Sequence, residues 1–119
     1  MSLFSGLVTI GVNDVAAATA WYKEKFGLRE SGQNFEEGSP EDTELISSPN
    51  REFGVILLAG VEESGDPPPV LNTSDIAKAR EWLALRGVNV TPVQTDRQGT
   101  HYIEMRDLEN NLIEISEEP

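Results

Sequence analysis

Residues 6–28 read GLVTIGVND followed by VAAATAWYKEKFGL, a strand that runs into a helix. Residues 69–90, PVLNTSD followed by IAKAREWLALRGVNV, repeat the plan. Gly27 and Gly87 fall 60 positions apart, each closing a helical stretch and each followed by an apolar residue, Leu28 or Val88. Tyr22 pairs in the same way with Trp82, Ala17 with Ala77, and Asp14 with Ser74. A chain of 119 residues built on this period is two copies of one small module. Neither copy alone buries enough surface to be stable, so the two are expected to close on each other and leave a cleft where they meet.

In the first module, Val8, Ile10 and Val12 share one face of a strand over 6–12, and Asn13 or Asp14 caps a helix that runs to Phe26. Val15, Ala18, Trp21 or Tyr22, the Lys25 stem and Phe26 form its apolar stripe, and Gly27 stops it. Residues 28–36 and 43–48 read as polar strands split by a turn at 37–40, and Phe53 to Val61 is the most apolar strand. The modules are assigned to residues 1–64 and 65–119, with a proline-stiffened linker at about 63–69. The second repeats the order: a strand over 70–72, a helix from about Asp75 to Arg86 capped by Ser74, then strands over 89–96, 100–106 and 111–116. Ile76, Ala79, Leu83 and the Trp82 ring make that helix's apolar face; Trp21 and Trp82 both read as core residues. The fold class is α+β, two βαβββ modules forming a half-open, barrel-like sheet around a cleft, one helix behind each four-stranded sheet.

Nine Lys and Arg against 21 Asp and Glu give a net charge of −12, which argues against a nucleic-acid partner and is compatible with a cationic ligand. Hydrophobic content of 38% and charged content of 25% are those of an ordinary globular chain. The sequence shows no apolar run of membrane-spanning length, and its N-terminus lacks the regions of a signal peptide, so a cytoplasmic location is expected. Without cysteine there is no thiol nucleophile and no thiolate metal site.

VNDV at 12–15 with WYKEKFGL at 21–28, joined to DLENNLIEI at 107–115, resembles the vicinal oxygen chelate superfamily, which includes glyoxalases, extradiol dioxygenases, and fosfomycin and bleomycin resistance proteins. The resemblance spans essentially the whole chain and implies two paired βαβββ modules around a cleft, in a protein that forms a homodimer. It also implies a divalent metal held by side chains on the first and last strands of each module, typically His, Glu, His and Glu. In this chain those positions fall on Leu7, Leu57, Pro68 and Glu114. Only Glu114 can donate to a metal, so no metal and no other cofactor is expected. In the terminal turn the family's glycine is replaced by Asn110, which tolerates the left-handed backbone a glycine would adopt.

Strand alternation proposes the lining of the cleft: Leu7, Thr9, Val55 and Leu57 as an apolar half, and Tyr102, Glu104 and Glu114 as an aromatic and acidic half. Phe35 is the candidate loop aromatic to close over a ligand. Each has a plainer reading, Glu114 as a solvated carboxylate, Glu104 as a partner of Arg106 or Arg51, Tyr102 as a packing aromatic, His101 as a surface residue. The leading expectation is a metal-independent protein that sequesters a small cationic or aromatic molecule, closest in character to bleomycin resistance proteins. The alternative is a superfamily enzyme, glyoxalase-, isomerase- or dioxygenase-like, with Glu114 as base, Tyr102 or His101 assisting, and Arg51 or Arg106 stabilising developing charge. An interaction module with a vestigial cleft is the third reading.

Overall fold

A long first strand, β1 (Phe4–Val12), enters α1 (Val15–Phe26) where the first repeat places the junction. In the computed structural model, residues 3–30, 43–46, 53–59 and 68–118 are described. Asp14 caps α1, its carboxylate accepting from the Ala17 N–H, and Gly27 ends it in the left-handed region at φ 68° with its N–H on the Lys23 carbonyl. Three strands follow: β2 (Arg29–Glu30), β3 (Thr43–Ile46) and β4 (Phe53–Ala59). The expected turn at 37–40 and the remainder of the expected strands lie outside the described residues.

The second module starts with β5 (Val70–Thr73) and α2 (Ile76–Leu85). The cap of α2 is Asp75 rather than Ser74: Asp75 keeps an extended backbone and its Oδ1 accepts from the Lys78 N–H. The strand expected over 89–96 is two short pieces, β6 (Asn89–Val90) and β7 (Gln94–Thr95). Pro92, which has no N–H for a ladder, lies between them. β8 (His101–Arg106) and β9 (Leu112–Glu117) complete the module. Asn110, in the turn between these strands, holds φ 68°, the left-handed geometry expected of it.

The strands of the described residues join one open mixed sheet in the order β2-β3-β4-β1-β5-β9-β8-β6, with β7 paired to β8. β1 is the hinge of this order. Its first residues pair antiparallel with β5, Phe4 opposite Thr73, and from Gly6 onward it runs parallel to β4. The strands before residue 60 and those after residue 69 therefore meet edge to edge within the chain. Both helices pack on the same side, α1 on β3 and β4, α2 on β6, β8 and β9. The core lies between helices and sheet. α1 contributes Ala18, Tyr22 and Phe26, one turn apart, and α2 contributes Ile76, Ala79 and Leu83. Phe26 stands edge-on to Phe4 and to Phe53, with ring centroids 5.2 Å apart in both pairs. Trp21 and Trp82 are half-buried residues at the margin of the core rather than inside it.

Side chains tie the modules together at both ends of the helices. At their C-terminal ends, the Lys25 ammonium donates to the Arg86 carbonyl at 2.7 Å and the Trp82 indole N–H donates to the Lys25 carbonyl at 3.0 Å. The Arg86 guanidinium lies 3.3 Å above the Trp82 ring. At the other end, the Glu109 carboxylate accepts from the Asn13 and Asp14 N–H groups that precede α1. Asp107 is buried and accepts from the Tyr22 hydroxyl at 2.6 Å, from the Glu109 and Asn111 N–H groups, and from the Asn111 side-chain amide. Burial first, then the charge and hydrogen bond of Asp107, push the Tyr22 hydroxyl far above the usual range for a phenol. Among the described residues, no helix is long and apolar enough to cross a membrane.

Candidate functional site

With both helices on one side, the other face of the sheet is left for function, and the strand register decides what lines it. Residues opposite one another on neighbouring strands share a face. Val8 and Ile10 are buried in the core, and Val55 and Leu57 stand opposite them. Val55 and Leu57 are accordingly core residues at 0% exposure, which corrects their expected place in the ligand-binding half. The residues of β4 that face away from the helices are Gly54, Ile56 and Leu58, aligned with Leu7, Thr9 and Gly11. Leu7 is 60% exposed, and Thr9 is exposed beside it, so these two lie on the helix-free face. Phe35 and Arg51 lie outside the described residues.

Gly54 explains how Leu7 lies. A Cβ there would stand 2.9 Å from Leu7 Cδ1, 3.1 Å from the Leu45 carbonyl oxygen and 3.6 Å from Ile46 Cγ2. Leu7 and Ile46 thus converge over Gly54 and form an apolar floor that a methyl group would lift. Gly54→Ala is expected to cost about 1–3 kcal/mol in chemical denaturation, because the backbone carbonyl cannot yield as Leu7 can.

On the second module's half, Ile103, Met105, Ile113 and Ile115 are fully buried toward α2. Alternation then turns Tyr102, Glu104 and Arg106 of β8, with Leu112, Glu114 and Ser116 of β9, to the helix-free face. Glu104 and Glu114 are direct cross-strand partners, and Val70 is level with Glu114 on β5. Like charges in this relation repel. Gln94 donates to Glu104 at 3.4 Å and the Ser116 hydroxyl donates to Glu114 at 3.3 Å. Among the described residues neither carboxylate has an ion-pair partner. Arg106, the proposed partner of Glu104, instead donates to the Asn110 carbonyl at 3.1 Å. The Tyr102 hydroxyl donates to Gln94 Oε1 at 3.4 Å, which links it to the same network.

His101 parts from this group. It alternates with Tyr102 along β8, which sets it toward the helix side, and its Nδ1 meets the Thr95 hydroxyl at 3.0 Å at the exposed end of the β7–β8 pairing. That placement corrects its candidacy as a catalytic assistant to Glu114. Glu44, which the sequence reading did not single out, is on the helix-free face. It stands opposite Ile56, while Leu45 next to it stands opposite Val55 and enters the core. The alternation of Glu44 and Leu45 along TELI carried this signal, since only Leu45 suits a core face.

The residues present do not fit the divalent metal that the family resemblance implies. Leu57 is in the core; Leu7, Pro68 and the outward residues of β4 offer no donor side chain, which leaves Glu114. No group of three His, Cys, Asp or Glu gathers as a metal site among the described residues.

Solved structures of the same architecture are numerous. A member of the glyoxalase/bleomycin resistance protein/dioxygenase superfamily from Sphaerobacter thermophilus DSM 20745 is similar with a TM-score of 0.73 and 21% identity, covering 96% of this chain and 96% of that one. TnmS3, an antibiotic binding protein from Streptomyces sp. CB03234, is similar with a TM-score of 0.70 and 19% identity, covering 97% and 95%. Lactoylglutathione lyase from Agrobacterium tumefaciens is similar with a TM-score of 0.63 and 17% identity, covering 93% and 90%. At these identities the likeness is one of fold. Among curated proteins none matches the chain in sequence. The family model described as Glyoxalase/Bleomycin resistance protein/Dioxygenase superfamily matches residues 6–115, and the chain belongs to that superfamily.

Proposed function

We propose that the helix-free face binds a small organic cation with an apolar, aromatic body, and does so without a metal. The observation that carries this reading is the facing pair Glu104 and Glu114, two carboxylates set directly opposite each other and, among the described residues, without an ion-pair partner. A ligand cation placed there relieves their repulsion, Tyr102 beside them offers a stacking ring, and Leu7 and Val70 offer apolar surface. That TnmS3, of the same fold, is an antibiotic binding protein supports capture as a use of this scaffold. Catalysis through Glu114 draws less support, since His101 lies toward the other face and Arg106 is held by the terminal turn.

A thermal-shift screen that crosses cationic aromatics and their neutral isosteres with divalent metals tests the proposal. A cation present at 100 times its dissociation constant is expected to add about 2.7 kcal/mol of stability, unaffected by chelator. The double substitution Glu104→Gln and Glu114→Gln is expected to remove most of that gain. Equal stabilisation by neutral isosteres, or stabilisation by Ni²⁺, Zn²⁺ or Mn²⁺ that chelator reverses, would overturn it.

A further inference from the structure

Glu44 brings a carboxylate to the other half of the same face. Its strand neighbours define its surroundings: Ile56 stands opposite, and Ile46 two residues on shares its face. Ile46 is buried at 4% exposure yet is not part of the core cluster, which marks this corner of the helix-free face as sheltered. Within that corner, Glu44 Oε1 is buried and has no hydrogen-bond partner, the only side-chain oxygen or nitrogen in that condition among the described residues. Buried acceptors are almost always satisfied in folded proteins, because water is lost on burial and nothing repays the loss without a donor. The fold keeps such an acceptor on the face where a ligand would lie.

We propose that Glu44 is the anchor of the ligand site: on binding, its side chain turns out of its cover and accepts a hydrogen bond from an N–H of an ammonium or amidinium group whose apolar body lies against Ile56 and the exposed Leu7. This rests on the reading of the helix-free face as a small-molecule site, and it names the residue that selects the cation. A planar amidinium suits a carboxylate best, since its parallel N–H groups engage both oxygens. Glu104 and Glu114 already accept hydrogen bonds from Gln94 and Ser116, so they present a field to the ligand, whereas Glu44 Oε1 has its bond unmade and gains one when the side chain turns to a ligand donor.

Benzamidine and its neutral isostere benzamide, titrated calorimetrically into wild type, Glu44→Gln and the Glu104→Gln, Glu114→Gln double variant, provide the test. Glu44→Gln is expected to weaken benzamidine roughly 10- to 100-fold and to leave benzamide unchanged. With no ligand, Glu44→Gln is expected to melt at or above the wild-type temperature, because the oxygen it alters makes no hydrogen bond in the fold. Benzamidine that binds wild type and Glu44→Gln equally overturns the anchor and leaves the small-molecule reading standing. A ligand-free Glu44→Gln protein that melts well below wild type also overturns it, by showing the carboxylate to be structural. Failure of every cationic aromatic to bind wild type removes the functional reading, and the anchor falls with it.

Discussion

Replacing Asp107 with alanine is expected to destabilise the protein by about 3 kcal/mol or more, measured by chemical denaturation. The substitution removes the acceptor for the Tyr22 hydroxyl, which is fully buried and has no access to water. It also strips the Glu109 and Asn111 N–H groups of their shared acceptor and so loosens the turn that presents Glu109 to the start of α1. Tyr22→Phe is expected to cost less, about 1–2 kcal/mol, because the remaining donors to Asp107 are intact. The double variant should fall short of the sum, with a coupling of about 0.5–3 kcal/mol for groups in direct contact. A pH arm isolates the phenol. The folded protein holds the Tyr22 proton more tightly than the unfolded chain, whose phenol ionises near about pH 10. Its contribution is therefore whole below that pH and declines as the pH rises further, and Tyr22→Phe should flatten the alkaline decline. Additive losses in the double variant would show that the 2.6 Å contact does not couple the terminal turn to α1.

This contact also shows where the sequence stops being legible. The helix signature and Gly27 as stop are local features, each settled by residues within a few positions of it, and of the two cap candidates Asn13 and Asp14 the backbone takes Asp14. Tyr22 and Asp107 are 85 positions apart, and nothing in either neighbourhood announces that they meet. The cap of α2 is an intermediate case: Ser74 and Asp75 are both good caps, and the backbone chooses the one adjoining the first helical turn. Pro92 broke a strand that composition alone ran through. The site divides along the same line. The facing of Tyr102, Glu104 and Glu114 was readable because apolar residues alternate cleanly with them, whereas β4, FGVILLA, is apolar throughout and carries no alternation to read. Its facing is fixed only by its parallel register with β1.

Leu57→Ala tests that register, with an expected cost of about 2–5 kcal/mol against about 1 kcal/mol or less for Leu7→Ala. Leu57 is fully buried, opposite Ile10, and its truncation leaves a cavity that the surrounding strands and α1 can close only partly. Leu7 is 60% exposed on the other face, so its truncation gives up little on folding. The order should reverse for ligand binding. Leu7→Ala removes part of the floor over Gly54 and is expected to weaken a cationic aromatic several-fold, while Leu57→Ala, where it still folds, should leave affinity nearly unchanged. A shift of one residue in the pairing of β1 with β4 would exchange the two outcomes, since it turns every side chain of the strand to the opposite face. Stability nearly untouched by Leu57→Ala, together with loss of binding, would return Leu57 to the ligand face and move Ile56 and the surroundings of Glu44 into the core. The pair of substitutions thus decides at once which face of β4 belongs to the fold and whether the anchor carboxylate has a ligand-facing neighbourhood to act in.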